Sequence, residues 1–195
     1  GPNGLCSTGF TTPESIELQN IFQTLYLGGI THLTMEISSH ALSLSRVDDV
    51  NIDVAVFTNL TPEHLDFYKN MDDYFSAKLK LFKKLSSNNI AIINNDNKYS
   101  KKIINSTKAK ILTFGFNSAS TIYPEKINMS LEGSEFYINF KKQKIKVTTK
   151  LIGDFNILNI LAAILISHSL GIDINKIINA IKKFRLVPGR FESFK

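Results

Sequence analysis

A single cysteine, Cys6, is all the thiol the 195-residue chain carries. That excludes an internal disulfide and suits a reducing compartment. No apolar run approaches the roughly 18 residues a membrane span needs. No charged-then-apolar leader opens the chain, and there is no internal repeat or low-complexity linker. Lysine and arginine outnumber the acids 23 to 17, a formal charge of +6. The lysines are scattered and not interleaved with aromatics, so they do not make a nucleic-acid face. Neither nucleic acid nor membrane is an expected partner.

What remains is 43% hydrophobic and 21% charged, the balance of one globular domain or of a large piece of a bigger protein. Helix-like and strand-like segments alternate over the first two-thirds. "TTPESIELQNIFQTLYLGG" offers Thr12 as an N-cap, Pro13 at the first helical position and closing glycines. "THLTMEIS", "IDVAVFTNL", "NIAIINND" and "AKILTFG" are short apolar runs, the pattern of strands covered on both faces. The expected fold class is therefore α/β, a mostly parallel sheet flanked by helices. Between about Thr121 and Leu151 the pattern changes to strand-like runs broken by Gly133-Ser134 and a lysine-rich turn, an expected small antiparallel β-ribbon subsheet. Two helices follow, "FNILNILAAILISHSLG", closed by Gly171, and "DINKIINAIKKFR", capped by Asp173.

The segment "TNLTPEHLDFYKNMDDYFSAKLKLF" begins like a strand end and finishes as an amphipathic helix, with Thr61 and Pro62 as an expected cap and first turn. On a helical wheel Tyr74, Phe75, Leu81, Phe82 and Leu85 lie within about 60° of Lys78, while Lys80, Lys83 and Lys84 lie opposite. An ammonium on an apolar face is costly, and desolvation lowers its pKa. The amine either snorkels out to water or is kept partly neutral so that it can react or ligate. Glu36, in "THLTMEIS", and His64, just past "VAVFTNL", are expected beyond the carboxyl ends of parallel strands, where open α/β sheets bind ligands. Taken singly, Glu36 reads as a strand-end ion pair and His64 as a hydrogen-bonded surface residue. Taken with Lys78, a carboxylate and an imidazole there suit a divalent cation.

The blocks "TTP" (11–13), "MEISSHAL" (35–42), "TNLTPEHLDFY" (58–68), "YFSAKLKLF" (74–82), "GDFNILNILAA" (153–163) and "VPGRFE" (187–192) stand in order and together resemble the central domain of the Mur ligase family. Within that family the blocks resemble the MurE type, whose members add the third amino acid to the peptidoglycan precursor. The resemblance runs from about Gly4 to Phe191. It implies that Lys78 is carbamylated by carbon dioxide and that Glu36, His64 and Lys78 are the catalytic and magnesium-binding residues. The spacing from His64 to Lys78, 78 − 64 = 14 residues, fits the family pattern. Asp66 would orient the loop. Thr11, Thr12, Ser38 and Arg46 match residues that grip UDP-N-acetylmuramoyl-dipeptide, with Thr11 and Thr12 equally readable as helix caps. His40 lines that pocket or packs locally. Asn156, Asn159 and Arg190 match ATP-binding positions; the two amides also read as a helix cap and a first-turn residue.

The resemblance further implies ATP and Mg²⁺ as cofactors and an amino acid as the third substrate. It implies a monomeric, cytoplasmic bacterial enzyme working through an acyl phosphate. "GLCSTGFT" (4–11) only superficially resembles a phosphate-binding loop, because Phe10 stands where lysine belongs and no strand precedes it. The expected organisation is a partial central domain over 1–186, lacking its first strand, phosphate-binding loop and helix. Residues 187–195 would be a linker towards a further domain. A chain of that kind is expected to be inactive by itself. The alternatives are another amide ligase on the same scaffold and a non-catalytic anion-binding module.

Overall fold

The computed structural model describes residues 9–63 and 66–184. In chain order the first elements are α1 (Ser15–Leu27), α2 (Ser39–Ser43), β1 (Val54–Phe57), α3 (Met71–Lys84), β2 (Ile90–Asn94) and α4 (Ser100–Ile104). They are followed by β3 (Lys110–Phe114), β4 (Tyr123–Ser130), β5 (Gly133–Phe140), β6 (Gln143–Thr149), α5 (Asp154–Ser169) and α6 (Ile174–Lys183). The chain divides into two compact units, residues 1–52 with 62–84 and residues 53–61 with 85–195.

The second unit holds both sheets. β1, β2 and β3 pair in parallel in that order, with Val54 opposite Ile90 and Ile90 opposite Lys110. Their apolar runs bury Ala55, Phe57, Ala91, Ile92, Ile93 and Phe114, as strands covered on both faces must. β4, β5 and β6 form the antiparallel ribbon. β5 and β6 are joined by Lys141 and Lys142, both at positive φ (49° and 63°), the requirement of a two-residue turn whose twist matches the strands. Gly133 is needed where β5 begins: at its φ of 144° an added Cβ would stand 2.1 Å from the Thr149 carbonyl oxygen. On the surface of β4, the hydrogen bond from Lys144 holds the Glu125 carboxyl below its usual range.

One apolar cluster joins the two sheets through α5. Ile92 and Phe114 contribute from the parallel sheet, Phe136, Ile138 and Val147 from the ribbon, and Ile157, Leu161, Ile164 and Leu165 from α5. α6 adds Ile177 and starts at Asp173, whose side chain accepts from the Asn175 and Lys176 N–H groups. Gly171, at φ 84°, ends the chain's passage out of α5 as expected.

The first unit contains the three helices α1, α2 and α3. Leu18, Leu42, Val47 and Val50 form its buried cluster, with Phe22, Met35, Ile37, Ile52 and Leu81 packed against it. Three expectations are corrected here. "THLTMEIS" (31–38) forms no strand. Its Glu36 carbonyl and Ser38 N–H both bond the Thr12 hydroxyl, so backbone groups a ladder would use are taken by a side chain. Thr12 is consequently not the cap of α1, which starts three residues later behind Glu14 with no side-chain cap. Thr61 and Pro62 do not start α3 either; helix begins at Met71, where the Asn70 side chain accepts from the Asp73 N–H at 2.9 Å.

Candidate functional site

α3 carries the central residue. Asp72 and Asp73 stand in its first turn and Lys83 and Lys84 in its last, so both ends complement the helix dipole. Tyr74, Phe75, Ala77 and Phe82 are buried along one face. Lys78 is on that face, half-buried, with its Nζ 5.3 Å from the centre of the Tyr74 ring. Desolvation lowers the pKa of its amine, and the charges of Glu36 and then Glu63 pull it back up. Tyr74 stacks on Tyr68 with ring centres 5.2 Å apart. Burial raises the Tyr74 phenol, and Glu63 and Tyr68 raise it further. An apolar wall, a depressed amine and two carboxylates acting on it thus meet in one unit.

Glu63 was missed in reading the sequence. It feels both Lys78 and Tyr74 electrostatically. The signal was available: it is a carboxylate immediately before His64 in "TPEHLDF". His64 and Arg190 lie outside the described residues. Asp66 stands exposed in the turn that follows. Among the described residues no three histidine, cysteine, aspartate or glutamate side chains gather as a metal site. The Glu36 and Glu63 carboxylates are hard oxygen donors of the kind Mg²⁺ takes, and their charges act at Lys78, so the residues present suit that ion.

A second set surrounds Thr12, which is 1% exposed. Its Oγ1 donates to the Glu36 carbonyl at 2.9 Å and accepts from the Ser38 N–H at 3.0 Å. Thr12 thereby holds the backbone on both sides of Ile37 and fixes where the Glu36 side chain starts. Ser38 caps α2, its Oγ accepting from the Ala41 N–H at 3.1 Å. Arg46 is nearly enclosed. Its Nη2 pairs with Glu14 at 2.5 Å, its Nη1 donates to the Thr12 carbonyl at 3.2 Å, and its guanidinium lies 4.5 Å over the Phe10 ring. The buried Arg46 Nε has no hydrogen-bond partner among the described residues. Thr11 is exposed beside this set. The His40 ring packs against Phe67, with centres 4.3 Å apart, and Tyr68. Thr12, Glu36, Ser38 and Arg46 are therefore one connected group.

Asn156 and Asn159 belong to the other unit, at the start of α5. The Asn156 side chain donates back to the Ile152 carbonyl at 2.8 Å, and Asn159 is exposed one turn further on. An amide that bonds the backbone below the first turn is held in a fixed orientation, as a reader of hydrogen-bond edges must be.

Comparison with known proteins gives a consistent picture. A family model described as the Mur ligase middle domain matches residues 2–167. The UDP-N-acetylmuramoyl-L-alanyl-D-glutamate--2,6-diaminopimelate ligase of Caldanaerobacter subterraneus subsp. tengcongensis is 40% identical over 185 residues, covering 95% of this chain and 38% of its own length. The protein of the same name from Solibacter usitatus is 41% identical over 184 residues, 93% of this chain and 37% of its own. A solved structure of a ligase with that name superposes with a TM-score of 0.85 at 28% identity, over 93% of this chain and 38% of that one. The MurF ligase of Thermotoga maritima, solved in complex with ADP, shares the fold at a TM-score of 0.68 and 20% identity, over 82% of this chain and 36% of its own. The chain thus spans well under half the length of the curated relatives it matches.

Proposed function

The chain belongs to the Mur ligase family through its middle domain, and from that premise we propose that it is the ATP- and substrate-binding part of a peptidoglycan ligase. The reaction joins the third amino acid to UDP-N-acetylmuramoyl-L-alanyl-D-glutamate. The names of the similar proteins point to 2,6-diaminopimelate as that amino acid. The γ-phosphoryl of ATP passes to a carboxylate of the D-glutamate, giving ADP and an acyl phosphate. The incoming amine then attacks the acyl carbon and releases phosphate, leaving an amide.

The observation that carries this reading is Lys78. A half-buried amine whose pKa is pushed down by desolvation is neutral more of the time. The ammonium first loses one proton to water; the neutral amine then forms a bond to the carbon of carbon dioxide and gives up a second proton to water, leaving a carbamate anion. Glu36, His64 and the Lys78 carbamate would hold Mg²⁺, which supplies charge stabilisation to the transferring phosphoryl group. Glu63 adds negative potential beside them. Thr12 and Ser38 fix the backbone that carries Glu36. Thr11, Ser38, His40 and Arg46 would contact the nucleotide-sugar substrate, and buried Thr12 would act through the backbone it holds. Arg46 is a guanidinium, the group that suits a phosphate or carboxylate. Asn156, Asn159 and Arg190 serve ATP.

The test is made on the full-length ligase that contains this domain. Formation of the nucleotide-linked tripeptide should require ATP, the dipeptide substrate and 2,6-diaminopimelate. Lys78→Ala should lower kcat by about 10²–10³-fold, the cost of removing one stabiliser of developing charge. Intact mass should show one added carbon dioxide on the wild type and none on the variant. A Lys78→Ala enzyme with unchanged kcat would refute the proposal.

A further inference from the structure

The sequence "IINND" (92–96) has no part in the reading above, yet its polar residues are unusually committed. Asn94 ends β2 and is only 5% exposed. Its Nδ2 donates to the Thr58 carbonyl at 2.6 Å, and its Oδ1 accepts from the Asp96 N–H at 3.0 Å. Its own carbonyl accepts from the Ser100 hydroxyl at the start of α4. Asp96 carries the line onward. Its Oδ2 accepts from the Phe116 N–H at 2.7 Å and its Oδ1, at 3.4 Å, from the Asn117 N–H. A Cβ at Gly115 would stand 2.6 Å from Asp96 Oδ1, so the turn leaves room for the carboxylate only because residue 115 is glycine.

These bonds form one continuous line along the carboxyl ends of β1, β2 and β3. Thr58 comes directly after the last ladder residue of β1, Phe57. Among the described residues no strand pairing follows in this stretch, and the Asn94 amide takes over at Thr58. Only an amide suits the position. It donates to a carbonyl and accepts from an N–H at once. A carboxylate would face the Thr58 oxygen, and an apolar side chain would orphan both groups.

We propose that Asn94 and Asp96 are positioning residues: they fix the direction in which the chain leaves β1 at Thr58, the point from which the sequence runs on to Glu63 and His64. The catalytic half of this inference rests on the ligase reading, and the structural half does not. It gives the carboxyl edge of the parallel sheet, where α/β folds place their ligand-bearing loops, a specific holding device.

The test uses the full-length ligase and three variants, Asn94→Ala, Asn94→Asp and Asp96→Asn. Amide hydrogen exchange read by mass spectrometry should speed up about tenfold or more in peptides covering 55–63 of Asn94→Ala, with β5, β6 and α5 peptides unchanged. Its kcat should fall by about 10–10²-fold while KM for the nucleotide sugar stays within about twofold, the mark of misplacement without lost binding. Asp96→Asn keeps an acceptor for the Phe116 N–H and should recover most of both. Asn94→Asp keeps the acceptor and loses the donor; it should reproduce the exchange at 55–63 even where the alanine variant folds poorly. Unchanged exchange at 55–63, or faster exchange spread evenly over all peptides, would overturn the proposal. A wild-type enzyme without ligase activity would refute the functional reading and still leave the exchange comparison to decide on Asn94.

Discussion

The two units satisfy their backbone polar groups by different means. In residues 53–61 with 85–195 most of the work is done by ladders, with side chains such as Asn94 and Asp96 serving backbone groups past the strand ends, and fourteen buried apolar residues among those described share one cluster. In residues 1–52 with 62–84 there is no ladder among the described residues, and the buried cluster has four members. There, side chains stand in. The Thr12 hydroxyl serves the Glu36 carbonyl and the Ser38 N–H. Arg46 serves the Thr12 carbonyl. The Lys84 amine donates to the carbonyls of Val47, Asp48 and Val50. Most of the candidate substrate and metal residues lie in this second kind of unit. A region held by polar side chains opens more readily than one held by a large core, which would suit elements proposed to receive a ligand.

The sharpest way to break this comparison is to cut both cores. Leu161, fully buried in α5, should cost about 2–5 kcal/mol as Leu161→Ala, seen as a lower urea midpoint at unchanged slope. Leu18→Ala should cost no more than the lower end of that range, because the cluster it belongs to is smaller. Equal losses at the two positions would mean that the small cluster is not the weaker core.

A more selective cut removes the stand-in. Thr12→Val keeps the shape and leaves the Glu36 carbonyl and the Ser38 N–H without their partner, at about 1–3 kcal/mol. Thr12→Ser should restore most of the loss. Amide exchange of 31–38 should rise with the valine and not with the serine. A valine variant as stable as the parent would show that water serves those two groups equally well.

Thr12 also marks the limit of what the sequence disclosed. The three paired parallel strands, the ribbon, α5 and the Asp173 cap were legible because each rests on a local signal: an apolar run, a glycine, a capping aspartate. The apolar run 31–38 carried the same signal and forms no strand, since a strand needs a neighbour and the nearest donor and acceptor belong to a side chain some two dozen residues away. The cap of α1 failed for the same reason, as a threonine with two tertiary partners is not free to cap. Lys78 was legible because helical periodicity sets it among aromatics whatever the tertiary fold. Glu63 stood in view beside His64 and was passed over, because no periodicity ties a loop carboxylate to Lys78 and Tyr74, on which its charge acts.

The smallest effect expected has the opposite sign. Burial lowers the Lys78 pKa in the folded chain, with Glu36 and Glu63 offsetting only part of it. The unfolded chain therefore holds that proton more tightly. Between the lowered folded value and the ordinary lysine value the unfolded state binds more protons, so stability rises with pH across that alkaline window. Below the window both states are protonated and the full desolvation penalty persists. Lys78→Met removes the charge and keeps an apolar side chain on the buried face of α3. In buffer freed of carbon dioxide it should melt higher than the parent at neutral pH, by less than about 4 °C in a chain of this size. The two melting curves should then draw together as pH approaches about 10.4, the ordinary lysine value. A variant that melts lower at neutral pH would mean that the Glu36 and Glu63 charges outweigh burial. In that case the ammonium, and not the neutral amine, is what the first unit is built to hold.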